Sequence, residues 1–115
     1  MIKYGDATVY NYFIDVFCYM PITAIIGNSV FAVHGGLSPS ISAIDQIRSL
    51  NRFNDHNSGC ICDLLWSDPA DTQGWKESKR GTGYEFGSDV SNTFVSENDI
   101  DKICRGHQLV NEVGD

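Results

Sequence analysis

With 115 residues, 42% hydrophobic and 11% aromatic, the chain is too apolar for a disordered segment and fits one domain or a piece of one. Eight basic against fifteen acidic side chains leave a formal charge of −7, which argues against nucleic acid or an anionic membrane as the main partner. A phosphorylated substrate is still compatible with that balance, because a metal ion would supply positive charge locally.

The first predicted element is a helix over Asp6–Tyr19, with Val9, Tyr12, Phe13, Val16 and Phe17 at helical spacing. Asp6 stands at the N-cap position and Pro21 lies just past the end. Two β-rich runs follow, Thr23–Ile26 and Ser29–Val33, and the Gly27-Asn28 pair between them signals a hairpin. Helical spacing resumes over Ser40–Leu50 with Ile41, Ile44, Ile47 and Leu50 on one face.

A polar connector, Asn51–Gly59, leads to a short helix or turn at Cys60–Trp66. Ser67–Gly83 is rich in Gly, Asp, Ser and Thr and reads as a long irregular loop. A helix at Ser88–Asn98 and a strand at Asp99–Cys104 close the pattern. This order predicts an α/β fold layered around a mixed sheet.

The chain carries four cysteines, no leader-like segment, no Asn-x-Ser/Thr sequon and no apolar run near the ~18 residues that span a bilayer. Reduced thiols and a cytoplasmic or nuclear location are therefore expected. His56, Cys60, Cys62 and Cys104 make a poor zinc set, since the paired Cys-x-x-Cys spacing is missing.

Candidate chemistry lies where predicted strands end. His34 follows Val30–Val33 and precedes Gly35-Gly36, and His107 follows Ile103–Gly106. In open α/β sheets ligand sites gather beyond strand ends, so the two histidines read either as half of a metal site or as structural residues. Gly35 and Gly36 would allow a sharp turn and the close approach of an ion or phosphate. Arg80, flanked by Gly81, is suited to bind two phosphate oxygens or to sit at the surface. Asp68, in Trp66-Ser67-Asp68-Pro69, would orient a cation or cap a turn.

Four ordered runs narrow these choices: Phe31–Pro39 (FAVHGGLSP), Cys62–Pro69 (CDLLWSDP), Arg80–Gly87 (RGTGYEFG) and Cys104–Gln108 (CRGHQ). They resemble the phosphoprotein phosphatase family of metal-dependent serine/threonine phosphatases, over about Tyr4–Glu112. Ser40-Ile41 and the His107–Val110 ending look like its type 2A, 4 and 6 branch. The resemblance implies a calcineurin-like metallophosphoesterase fold, a mixed sheet sandwich with flanking helices. By position it implies His34 and His107 as ligands of one metal of a two-metal centre, Arg80 as phosphate contact and Asp68 as supporting carboxylate.

The same resemblance implies two divalent ions (manganese, iron or zinc class), a phosphoprotein substrate and regulatory or scaffold subunits. The family's Gly-Asp-x-His-Gly, Gly-Asp-x-x-Asp-Arg-Gly and Gly-Asn-His-Glu motifs are not in this sequence, nor are its distal strands. Residues 1–115 are therefore expected to be the carboxyl-proximal part of a catalytic domain, without turnover by itself. An interaction module derived from a phosphatase, binding its regulators, is the competing expectation. Gly106 and Lys79 stand where the family usually has alanine and proline.

Overall fold

A computed structural model describes residues 5–53 and 58–109. In chain order they form α1 (Thr8–Tyr19), β1 (Thr23–Ile26), β2 (Val30–Val33), α2 (Ile44–Arg48), α3 (Gly59–Trp66), β3 (Asp68–Pro69), β4 (Trp75–Glu77), β5 (Tyr84–Phe86), α4 (Ser88–Glu97) and β6 (Lys102–Arg105). The strands make two mixed three-stranded sheets, ordered β1-β2-β6 and β3-β5-β4. The architecture is α/β, as the patterning predicts.

The expected hairpin forms with Thr23 opposite Val33 and Ile26 opposite Val30. Gly27 and Asn28 both have positive φ, 60° and 58°, the conformation that a tight right-twisting hairpin turn requires. On its other side β2 pairs in parallel with β6, Val30 opposite Lys102 and Val33 opposite Arg105. The carboxyl ends of β2 and β6 therefore lie side by side.

Alternation along β2 sends Phe31 and Val33 into a core shared with Leu37, Ile41, Leu64, Phe86, Phe94 and Ile100. Phe94 brings α4 onto the sheet, its ring 5.2 Å from that of Phe31. After α4 the chain turns at Asp99, φ 50°, and the Ile100 amide bonds back to the Val95 carbonyl. That left-handed stop points the chain into β6.

Two expectations need correction. The helix expected over Ser40–Leu50 is only Ile44–Arg48. Its start is fixed by side chains: Gln46, in its own first turn, accepts from the Ser42 and Ala43 amides, and Asn98, at the end of α4, accepts from the Ile44 amide at 2.8 Å. The expected loop Ser67–Gly83 contains β3 and β4, which pair with β5 as a second sheet. Strands of two or three residues offer no period to detect, and only long-range pairing creates them.

The apolar stripe of α1 does not enter this core. None of its residues is buried, and Tyr12, Phe13, Val16 and Phe17 are at least half exposed. The N-cap position falls on Ala7 rather than the expected Asp6; Asp6, just ahead of it, accepts the Thr8 amide at 2.9 Å, a bond that holds its carboxyl below the usual range. Arg52 secures the other end by donating to the Phe17 and Met20 carbonyls. The chain exposes 8232 Å², whereas a compact monomer of its 12.7 kDa exposes ~6200 Å².

Candidate functional site

The site is built from the ends of β2, β3 and β6 together with the β4–β5 loop. His34 leaves β2 and His107 follows β6 by two residues. The parallel ladder reaches one step beyond the strands, with the Gly106 amide donating to the His34 carbonyl. Next the Gln108 amide donates to the Gly106 carbonyl at 2.8 Å, enclosing His107 in a γ-turn with φ 69°. This uncommon backbone costs on the order of 1–3 kcal/mol, and such strain concentrates at functional positions.

The strained turn swings one imidazole onto the other. His34 Nε2 lies 3.1 Å from His107 Nδ1, and the rings stand at 72°. Trp66 packs edge-on against the other side of His107, 5.4 Å between ring centres. Burial lowers the His107 pKa, the nearby His34, Arg80 and Arg105 push it the same way, and the Asp68 carboxylate opposes them. The shift favours the neutral ring, the form in which a histidine nitrogen can act as ligand or acceptor.

Two histidine nitrogens 3.1 Å apart match one edge of a metal coordination shell. Bonds of about 2.1 Å meeting at roughly 95° reproduce that spacing. His107 Nε2 is buried without a hydrogen-bond partner among the described residues, whereas the second nitrogen of a ligating histidine usually has one. No group of three or more His, Cys, Asp or Glu converges among the described residues. The pair fits two positions of a metal shell and leaves the others to groups outside it. His56, weighed for a zinc set, lies outside the described residues.

Asp68 is brought beside this pair but is committed elsewhere. Its carboxylate is nearly buried and accepts from Arg105 Nη2 on Oδ1 at 2.7 Å and from Arg80 Nε on Oδ2 at 3.0 Å. Arg80 arrives on the β4–β5 loop, closed by the Gly81 amide on the Ser78 carbonyl and the Ser78 amide on the Gly83 carbonyl. Gly83 combines φ 71° with close contact to α3, so a Cβ there would lie 2.8 Å from the Trp66 carbonyl carbon. The Arg80 side chain remains about half exposed.

The glycines after His34 serve a purpose other than the expected one. Neither Gly35 nor Gly36 has positive φ. A Cβ on Gly35 would lie 2.4 Å from the Leu65 carbonyl carbon, and one on Gly36 would lie 2.5 Å from the Phe86 ring. Both amides donate to the Leu64 carbonyl at the end of α3. The pair lets α3 and β5 press against the strand end, rather than opening space for an ion or phosphate.

Sequence reasoning missed the part played by Arg105. Its guanidinium is mostly buried and bonds Asp68, the Gly35 carbonyl and Gln108 Oε1. The signal was its alternation with Ile103: both are the half-buried residues of β6 and share a face.

The calcineurin-like phosphoesterase family pattern matches residues 2–111, nearly the whole chain. The chain belongs to this family. This phosphoesterase chain is also similar to the solved structure of a serine/threonine phosphatase from Saccharomyces cerevisiae with similarity to human phosphatase PP5. The match has a TM-score of 0.83 and 32% identity, and covers 95% of this chain and 34% of the yeast chain. The phosphoesterase chain thus spans about a third of the length of that relative, and its fold is a partial calcineurin-like one.

Proposed function

We propose that this chain is the carboxyl-proximal part of the catalytic domain of a serine/threonine protein phosphatase, of the branch that includes types 2A, 4 and 6. The convergence of His34 Nε2 and His107 Nδ1, 73 residues apart in the chain, carries the reading. In it the two histidines occupy one edge of a divalent ion's shell, Arg80 holds the phosphate of a phosphoprotein, and Asp68 orients Arg80. A pair of divalent ions in such a site activates water and stabilises the charge developing on the leaving oxygen.

The residues themselves supply binding and orientation. Burial lowers the His107 pKa, which favours the neutral ring, and a neutral imidazole has one nitrogen lone pair to offer an ion. Arg80 offers terminal nitrogens on a glycine-bounded loop, and an arginine fork suits a tetrahedral anion. Two histidines hold a divalent ion weakly, so the chain by itself is expected to be inactive toward a phosphopeptide with manganese.

Joining residues 1–115 to the upstream portion of a related catalytic domain should create manganese-dependent phosphopeptide hydrolysis that His34→Ala and His107→Ala abolish. Robust turnover by the isolated chain, abolished by His34→Ala, would sink the reading that it is one part of a site. The exposed face of α1 supports a second reading, a binding module for phosphatase regulators. An upstream reading frame containing the three missing motifs would discard that alternative.

A further inference from the structure

We propose that Arg105 is a positioning residue for Arg80. By occupying Oδ1 of Asp68, it confines Arg80 to a single Nε bond on Oδ2 and keeps both terminal nitrogens of Arg80 available for an anion. The ligand class, a phosphate ester, rests on the function proposed above; the positioning itself rests on the geometry.

Carboxylate and guanidinium pair most strongly as a fork, two parallel bonds to two oxygens. Asp68 is nearly buried and accepts only from the two arginines among the described residues, and Arg80 comes from a half-exposed loop position beside it. With both oxygens of Asp68 unclaimed, Arg80 would close that fork, and its charge and donors would be spent inside the protein. The structure shows something else: Arg80 uses Nε alone, because Arg105 Nη2 already holds Oδ1 at 2.7 Å.

Arg105 is well placed to resist displacement. It ends β6, only 15% of its side chain is exposed, and its remaining nitrogens are engaged. Nε donates to the Gly35 carbonyl and Nη1 to Gln108 Oε1. Those partners belong to the chain just after His34 and just after His107, so one guanidinium ties both histidine turns to Asp68. Two guanidiniums on one carboxylate also leave the cluster with a net positive charge toward solvent.

The test uses the 115-residue chain labelled with 15N, and follows the guanidinium signals of Arg80 in the wild type and in Arg105→Lys. Lysine keeps the charge but cannot bond Asp68, the Gly35 carbonyl and Gln108 at once, so a purely electrostatic role would survive it. In the wild type, Arg80 should show a hydrogen-bonded Nε–H and freely rotating terminal groups. In Arg105→Lys the terminal groups should become slow and shifted as Arg80 closes on Asp68. Affinity for inorganic phosphate, read from the same signals, should then fall on the order of tenfold, the loss of one charge-assisted bond.

Unchanged Arg80 signals and phosphate affinity in a folded Arg105→Lys chain would overturn the proposal. Slow, Asp68-bound terminal groups in the wild type would overturn it without any variant, which keeps the test decisive if Arg105→Lys does not fold. A wild type with free terminal groups that ignores phosphate would defeat the phosphate-binding reading of Arg80 and leave the positioning role standing.

Discussion

His34 Nε2 and His107 Nδ1 are 3.1 Å apart although 73 residues separate them in the chain. The contact exists because β2 and β6 run parallel and in register, Val33 opposite Arg105, so the chain leaves both strands at one edge. The register, the γ-turn at His107 and the Arg105 anchor together set the spacing of the pair. Changes that loosen β6 should therefore separate the histidines before they unfold the core.

The core itself depends on the contact between Phe31 and Phe94, rings 5.2 Å apart and both nearly inaccessible. Phe94→Ala should cost about 3–5 kcal/mol, because the cavity adds to the lost transfer energy. Denaturant titration followed by near-ultraviolet circular dichroism should show the midpoint falling accordingly.

Two glycines near the site should respond in opposite ways. Gly35→Ala forces a Cβ to within 2.4 Å of the Leu65 carbonyl carbon, and overpacking of this kind costs ~1–3 kcal/mol or more. Gly106 has open space around it and no positive φ, so Gly106→Ala should stabilise by about 0.4–1 kcal/mol through the unfolded state. Alanine is also what the resembled family usually carries there. Thermal melts of the two variants should move to either side of the wild type.

Asp63 predicts a pH dependence of its own. Burial raises its pKa, and the hydrogen bond it accepts from Ser38 Oγ at 2.7 Å opposes that shift only in part. A carboxyl with a raised folded pKa contributes stability that is full below its unfolded value, near 3.8, and is lost as pH rises through the folded value. Asp63→Asn keeps an acceptor for Ser38 and removes the buried charge. Its stability relative to the wild type should therefore increase as pH climbs from about 4 toward neutrality, measured by urea unfolding across that range.

The face of α1 should behave as an unfinished interface. Tyr12, Phe13, Val16 and Phe17 are at least half exposed, and the total surface is about a third above that of a compact monomer of this mass. The isolated chain should bind an apolar dye and self-associate at micromolar concentration. Phe13→Glu with Phe17→Glu should suppress both without lowering the unfolding midpoint, as sedimentation velocity and dye fluorescence would record.

Local chemistry made much of this fold legible in the amino-acid order. Gly27-Asn28 specifies the hairpin because both residues tolerate positive φ, and alternation along Val30–Val33 marks the buried side of β2. The four motifs likewise contain His34, Asp68, Arg80 and His107, which the structure brings together. What the order could not supply was every feature made by distant partners. The small second sheet exists only because β3 and β4 find β5, and Asn98, 54 residues on, accepts from the first amide of α2. The task of Gly35 and Gly36 is set by α3 and β5, and that of Arg105 by Asp68. Backbone preference and period are properties of neighbours in the chain, whereas steric clearance and the sharing of one carboxylate between two arginines are properties of neighbours in space.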